Sequence, residues 1–365
     1  MRPAAKIEAV KARAYTIPTD APEADGTFAW RATTLVVATV DAGGETGMGY
    51  TYGAKACAPL AADTLGETIR GQDVFDIALC HRKMANCVRN LGRSGVAANA
   101  ISAVDAALWD LKAKLLGVPL ASLLGRARET VPIYGSGGFT SYDDRRLSIQ
   151  LAGWVEKDGC RAAKMKIGSH PDDDLRRVRV AKKAIGNASL FVDANGAYSV
   201  KEALRLASSF ASETSVAWFE EPVSSDDLDG LAQVRAEAPA AMDIAAGEYA
   251  YNADDIRRML ARRAVDVQQA DASRCLGITG FLQAAALCDA HHIDLSGHCA
   301  PALHLHPACA APRLRHLEWF HDHVRIEHML FDGAPIPKEG AISPDMSRPG
   351  LGLTFKERDA ERYAA

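Results

Sequence analysis

The sequence predicts an α/β protein: a closed, TIM-like (β/α)8-type barrel preceded by a smaller α+β domain. Two patterns and a length predict it. From about Val131 onward, short apolar runs alternate with helical stretches of ~10–15 residues, the way repeated βα units read. The runs are VPIYG, AAKMKI, SLFVDAN, VAWFEEP, DIAAGE, VDVQQAD, IDLSGH and LRHLEWF. Eight is the number that closes such a barrel, and the ~210 residues they occupy lie at the short end for that fold. The first third of the chain shows strand composition without this alternation. A chain of 365 residues, at roughly 150 per domain, has room for both parts.

Taken in chain order, residues 6 to 14 and 32 to 40 (ATTLVVATV) read as strands, and the second ends at a turn over Asp41 to Gly44 where a hairpin reverses before GMGYTYG. A small antiparallel sheet follows. From Ala97 to Leu116, Ile101, Val104, Leu108, Leu111 and Leu115 recur at three- and four-residue steps. Asp105, Asp110, Lys112 and Lys114 stand between them, and Gly117 and Pro119 end the run. This is an amphipathic helix with a stop. The expected division is 1–125 for the α+β domain, 126–338 for the barrel, and 339–365 for a Pro-, Gly- and charge-rich segment that returns to the first domain.

Composition narrows the function. Hydrophobic residues make up 48% and charged residues 24%, ordinary globular usage, and 42 basic against 46 acidic residues leave a net charge of −4. No basic run is long enough to track a phosphate backbone, so nucleic acid is not an expected partner. The start, MRPAAKIEAVKARAY, lacks a signal-peptide core, and no apolar run approaches the ~18 residues of a membrane span. The expectation is a cytoplasmic protein without membrane attachment. Eight cysteines without a CxxC pair read as buried reduced thiols.

Ionisable residues end one candidate strand after another: Lys166, Asp193, Glu220, Glu248, Asp271, His298 and Glu318. They are spaced by about one βα unit, so a barrel brings them to one mouth, the C-terminal face. A single such residue is more often a helix cap or a surface ion pair; seven in succession are poorly explained that way. Asp193, Glu220 and Glu248 would repel one another too strongly to stay ionised together without a cation. Oxygen-only ligands favour a hard ion, Mg²⁺ over Zn²⁺. Of Glu220 and Glu221 only one can face the centre, and alternation alone does not choose.

Lys164 and Lys166 are two apart and share a strand face. Two adjacent ammonium groups are expected to depress each other's pKa, letting one act as a base near neutral pH. Asp271 and His298 stand on neighbouring strands, where the carboxylate would fix the imidazole tautomer. Glu318 beyond them reads as a proton donor or hydrogen-bond anchor. A metal with a base on each side suits removal of a proton from carbon next to a carboxylate. His304, His306, His321, His323 and His328 match no tight zinc spacing, and GGETGMG and GSGG match neither nucleotide-binding glycine motif.

Together the KxK of Lys164-Met165-Lys166, the DxN of Asp193-Ala194-Asn195, the EEP of Glu220-Glu221-Pro222, Gly247-Glu248, and Asp271 with His298 and Glu318 resemble the enolase superfamily and, within it, the mandelate-racemase subgroup (mandelate racemase/muconate lactonizing enzyme-like proteins). The segment SAVDAALWDLKAKLLGVPL also resembles the family's linker into its modified barrel, so the similarity spans nearly the whole chain.

The resemblance implies one Mg²⁺ per active site on Asp193, Glu220 and Glu248. It implies Lys166 and His298 as opposed acid/base residues, with Asp271 supporting His298. Lys164, Asn195 and Glu318 are implied as contacts to the substrate carboxylate. The first domain would then cap the barrel, with Ile17 to Trp30 as the loop closing over a small carboxylate substrate, and the protein would be a homo-oligomer. The leading expectation is a lyase that dehydrates an acid sugar through a metal-stabilised enediolate to a 2-keto-3-deoxy product. The alternative is a racemase or epimerase of a 2-hydroxy acid or related carboxylate using Lys166 and His298 on opposite faces. A non-catalytic binding protein on the same fold is a distant third.

Overall fold

Alternating apolar and polar residues with β-branched side chains extend the N-terminal chain into three long strands. They are β1 (Ile7–Ala24), β2 (Ala29–Ala42) and β3 (Glu45–Tyr52). These pair antiparallel in the order β1-β2-β3. The computed structural model describes residues 5–365.

The stretch Ile17 to Trp30 is not an open loop. It is the far end of the β1–β2 hairpin, with Pro18 opposite Ala32 and Glu23 opposite Trp30 across a shift in register. Pro18 and Pro22 are tolerated because β1 is the sheet's edge and its outward N–H groups need no partner. At the tip, Asp25 Oδ1 accepts from the backbone N–H of Thr27 (2.6 Å) and Phe28 (2.7 Å), a local turn that Asp favours.

The expected helix forms as α1 (Val96–Leu115). Its sequence reads as amphipathic, but nearly all of it is buried, because one side packs on β3 and the other on the barrel. At Gly49 any Cβ would come within 2.3 Å of the Ala103 carbonyl oxygen, so glycine is what lets strand and helix backbones touch. Asp105 and Asp110, which stand between the apolar residues of the helix, are buried fasteners. Asp105 accepts from Thr279 N–H (2.9 Å) and Oγ1 (2.7 Å) on a barrel helix, and Asp110 accepts from Met48 N–H (2.8 Å) and Leu351 N–H (2.7 Å). A buried carboxylate fully supplied with donors offsets its desolvation cost.

Eight parallel strands follow: β4 (Val131–Gly137), β5 (Ala162–Lys166), β6 (Ser189–Asp193), β7 (Val216–Glu220), β8 (Asp243–Ala246), β9 (Val267–Ala270), β10 (Asp294–Gly297) and β11 (Leu314–Phe320). Each pairs with the next, and β11 pairs in parallel with β4 from Leu317↔Ile133 to Phe320↔Ser136, which closes the barrel. All eight lie where the apolar runs placed them. Inward-facing Tyr134, Phe191, Trp218 and His316 stack on one another to fill the interior, with Phe191 and Trp218 ring centroids 5.2 Å apart. They form the floor beneath the polar strand ends.

The last segment returns in two steps. Ala341–Ile342 pairs antiparallel with the start of β4, and Gly350 and Leu351 then reach Val118 and Asp110, while Ala365 N–H donates to Ala14 O. No helix among the described residues is long and apolar enough to cross a membrane.

Candidate active site

Alternation along each barrel strand puts the expected residues on the inner face: Lys164 and Lys166 on β5, Asp193 ending β6, Glu220 ending β7 and Glu318 on β11. Glu248, Asp271 and His298 lie one or two residues beyond β8, β9 and β10. The structure gathers all of them, buried, at one end of the barrel.

Asp193, Glu220 and Glu248 each offer a carboxylate oxygen within 4.8 Å of the others. Of the two glutamates left open by alternation, Glu220 is the one that joins this group. Its Oε2 accepts from the Trp218 indole N–H of the floor at 3.0 Å. Glu221, past the strand end with φ of 38°, keeps a buried oxygen without a partner. Burial, and next the charge of Asp193, push the Glu220 carboxyl up from its ordinary value. Glu248 moves the other way: burial opposes ionisation, but His298, Arg274 and Lys166 overcome it.

A divalent ion fits this set on two observations. The donors are oxygen only, as a hard cation requires, and Glu248 Oε2 is buried without a hydrogen-bond partner among the described residues. Its nearest cationic neighbour, His298 Nε2, stands off at 3.4 Å.

Lys164 Nζ lies 2.5 Å from Glu220 Oε1, 2.9 Å from Glu318 Oε1 and 3.4 Å from Asp193 Oδ2, and Lys166 Nζ lies 2.5 Å from Asp193 Oδ2. The expected mutual depression of the two lysines is outweighed. Burial pulls each pKa down, as does the neighbouring ammonium at Lys166, but the facing carboxylates raise both above the ordinary lysine value. The sequence places the lysines side by side; only the fold shows how many carboxylates stand opposite.

His298 Nδ1 is 2.8 Å from Asp271 Oδ2, and Asp271 Oδ1 takes Ser273 N–H at 2.7 Å, so the carboxylate is held as it holds the ring. Burial disfavours the imidazolium, but Cys299, Glu248, Glu318 and Asp271 together raise His298 well above its ordinary value.

Of the two readings left open for Glu318, proton donor or hydrogen-bond anchor, its contacts fit the anchor. Glu318 accepts from Ser136 Oγ (2.5 Å) and Cys299 N–H (3.0 Å), and although burial opposes ionisation, Lys164 and His298 draw its carboxyl below the usual range. In this arrangement it is an anchoring acceptor. Asn195, with φ of 46°, donates its N–H to Asp193 Oδ1 at 2.9 Å and has a buried side-chain oxygen without a partner at the cavity edge.

Lys166 and His298 flank the acidic group. Lys166 touches Asp193 at one end and His298 faces Glu248 at the other, on strands set across the barrel from each other. A cavity of about 350 Å³ opens above them, roofed by Asp25, Phe28, Trp30, Ala32, Thr33 and Thr34 of the hairpin.

Sequence reasoning missed Arg274, whose Nη1 reaches Glu248 O (3.1 Å) and Oε1 (3.4 Å) and whose Nε lies 3.6 Å from Asp271. It also missed Cys299, with Sγ 3.3 Å from His298 Nε2, and Tyr249. Adjacency to His298 and the three-residue step from Asp271 were visible signals; convergence on Glu248 was not. The histidine-rich stretch is mostly structural. His304 binds Ala272 N–H and Ala300 O, and His306 binds Ala121 N–H and Leu351 O. His321 pairs with Asp20, His328 bonds Pro335 O, and His323 stacks on Tyr52 at 3.5 Å and lines the cavity.

Comparison with known proteins agrees with this geometry. The family described as mandelate racemase / muconate lactonizing enzyme, N-terminal domain, matches residues 12–125, and that described as enolase C-terminal domain-like matches residues 146–360. The chain belongs to the enolase superfamily, in its mandelate-racemase subgroup. It is an enzyme of that superfamily, whose named homologues are dehydratases and cycloisomerases.

It is similar to a mandelate racemase/muconate lactonizing enzyme-like protein from Rubrobacter xylanophilus, with 47% identity and a TM-score of 0.96 over 99% of this chain and 100% of that one. A racemase from Streptomyces coelicolor A3(2) with bound magnesium is 31% identical, with a TM-score of 0.92 over 98% of this chain and 100% of that one. The L-talarate/galactarate dehydratase of Salmonella typhimurium is 33% identical over 86% of this chain and 78% of its own length.

Proposed function

We propose that this enzyme is a Mg²⁺-dependent dehydratase of an acid sugar. The observation that carries the reading is the placement of Lys166 and His298 on opposite sides of one buried carboxylate triad, beneath a cavity lined by the hairpin. Similarity to the talarate/galactarate dehydratase and to the magnesium-bound racemase supports it.

In this reading Asp193, Glu220 and Glu248 hold the ion. Bound there, Mg²⁺ would supply positive charge against the negative charge that develops on the substrate carboxylate. Lys164 and Asn195 face one edge of that carboxylate, and Glu318 positions Lys164. Lys166 takes the proton from the α-carbon. His298, oriented by Asp271, gives a proton from Nε2 to the departing β-hydroxyl, which leaves as water. The enol that remains tautomerises to a 2-keto-3-deoxy acid. The hairpin roof keeps water from the reacting carbon.

The same two bases could instead invert the α-carbon, deprotonating from one face and reprotonating from the other. Proton NMR in D₂O with Mg²⁺ separates the two. A 2-keto product from an acid sugar supports dehydration; recovered starting material that is deuterated and inverted, with no 2-keto product, refutes it in favour of epimerisation.

A further inference from the structure

The charges around the cavity are distributed unevenly. At the barrel end stand Lys166, Arg274 and His298, and each already faces carboxylates: Lys166 Asp193, Arg274 Glu248 and Asp271, His298 Asp271 and Glu248. At the roof, among the described residues, the hairpin contributes Asp25, Phe28, Trp30, Ala32, Thr33 and Thr34 and no basic side chain. Arg31 and Lys55, close by in sequence, are exposed and stand outside the lining.

Three donors, Thr27 N–H, Thr27 Oγ1 and Phe28 N–H, converge on Asp25 Oδ1 at 2.6, 3.3 and 2.7 Å, which leaves Oδ2 without a hydrogen-bond partner among the described residues. Trp30 gives its indole N–H to Glu23 at 2.8 Å and stacks with Phe28 at 6.2 Å, so the two present ring faces rather than donors. The roof is seated firmly. Asp25 O accepts from Thr140 Oγ1 (2.9 Å) and Ser169 Oγ (2.8 Å) of the barrel loops, and a Cβ on Gly26 would lie 2.3 Å from Ala194 O.

We propose that the hairpin end of the cavity, built from Asp25, Thr33, Thr34 and the Phe28–Trp30 wall, is a subsite for an uncharged polyhydroxyl tail, so that the substrate is a monocarboxylic acid sugar and diacids of the same length are refused. This rests on the function proposed above. Hydroxyl groups donate to the open carboxylate oxygen of Asp25 and exchange hydrogen bonds with the threonines, and C–H faces of the tail pack on the rings. A second carboxylate in the same place would lose its water, meet no cation, and face Asp25. Desolvation without a partner, together with like-charge repulsion, selects strongly against it.

The test compares galactonate and gluconate with galactarate and glucarate, in Mg²⁺, following 2-keto product by NMR. Where a diacid is not turned over, its inhibition constant against the best monoacid is measured instead. The expected result is a preference for monoacids of about a hundredfold or more in kcat/KM. Asp25→Asn keeps the Oδ1 acceptor of the turn and removes the charge, and should improve the diacids about tenfold, in kcat/KM or inhibition constant. A diacid handled within tenfold of the best monoacid overturns the subsite while leaving dehydration intact. Diacids unaffected by Asp25→Asn overturn the part assigned to Asp25. No 2-keto product from either class overturns the proposed function and the subsite together.

Discussion

Gly26→Ala tests whether the cap is seated on the barrel as the structure describes. The new Cβ would stand 2.3 Å from Ala194 O and 2.7 Å from Ile167 O, both backbone atoms at the mouth. Restoring ordinary contact, near 3.4 Å, requires the hairpin tip to lift by about 1 Å. The hydrogen bonds that hold that tip down include Thr140 N–H to Ala24 O (2.9 Å), Thr140 Oγ1 to Asp25 O (2.9 Å), Ser169 Oγ to Asp25 O (2.8 Å), Ser141 Oγ to Pro22 O (2.7 Å) and Thr27 Oγ1 to Asn195 O (3.4 Å).

At about 1 kcal/mol each, breaking two of them favours the lifted tip by about 2 kcal/mol, roughly thirtyfold in its population. Arg31 is exposed and sits in β2 between the paired residues Trp30 and Ala32, so trypsin should cut there efficiently only when the hairpin end opens. Limited proteolysis, under conditions where opening is fast relative to cutting, should show cleavage after Arg31 about thirtyfold faster in the variant. The melting temperature should move little, because the broken hydrogen bonds belong to a hairpin tip and not to the core. Unchanged cleavage would refute the close seating of the roof on the barrel mouth.

Lys166→Ala and His298→Asn should each reduce turnover by at least about a thousandfold with the fold intact by circular dichroism, since both side chains point into a polar cavity; full activity in either would contradict its assigned role. Mg²⁺ at about 100 times its dissociation constant should stabilise the protein by about 2.7 kcal/mol. Glu248→Gln should abolish most of that gain, and calorimetry showing unchanged Mg²⁺ affinity in the variant would exclude Glu248 as a ligand.

Glu327, buried with its carboxyl receiving Tyr50 Oη (2.6 Å) and Ala302 N–H (3.1 Å), has its pKa pushed up by burial to about 8 from an ordinary 4.5. The folded state therefore holds this proton more tightly than the unfolded chain. The stability it confers is complete below about pH 4.5 and is lost as pH rises through 8, by at most on the order of 5 kcal/mol. Glu327→Gln, whose amide can serve both partners, should flatten stability between pH 5 and 8 in urea titrations; an unchanged slope would sink this account.

Much of the molecule is written in local patterns. The eight barrel strands could be located because alternation and composition act over a few residues, and parity along β5 put Lys164 and Lys166 on one face before any fold was known. The acidic triad was legible because carboxylates at successive strand ends have no structural reason to be there.

Whatever depends on residues distant in the chain was decided only by the tertiary structure. Glu220 rather than Glu221 joins the triad because of where β7 ends in the closed barrel. Both lysines are raised, and Glu318 is an acceptor, because of carboxylates and donors brought from other strands. The hairpin at Ile17 to Trp30 is ordered by contacts with Thr140, Ser169 and Ala194, far away in sequence. Electrostatics and seating depend on distances in three dimensions, and a one-dimensional chain specifies those only by folding.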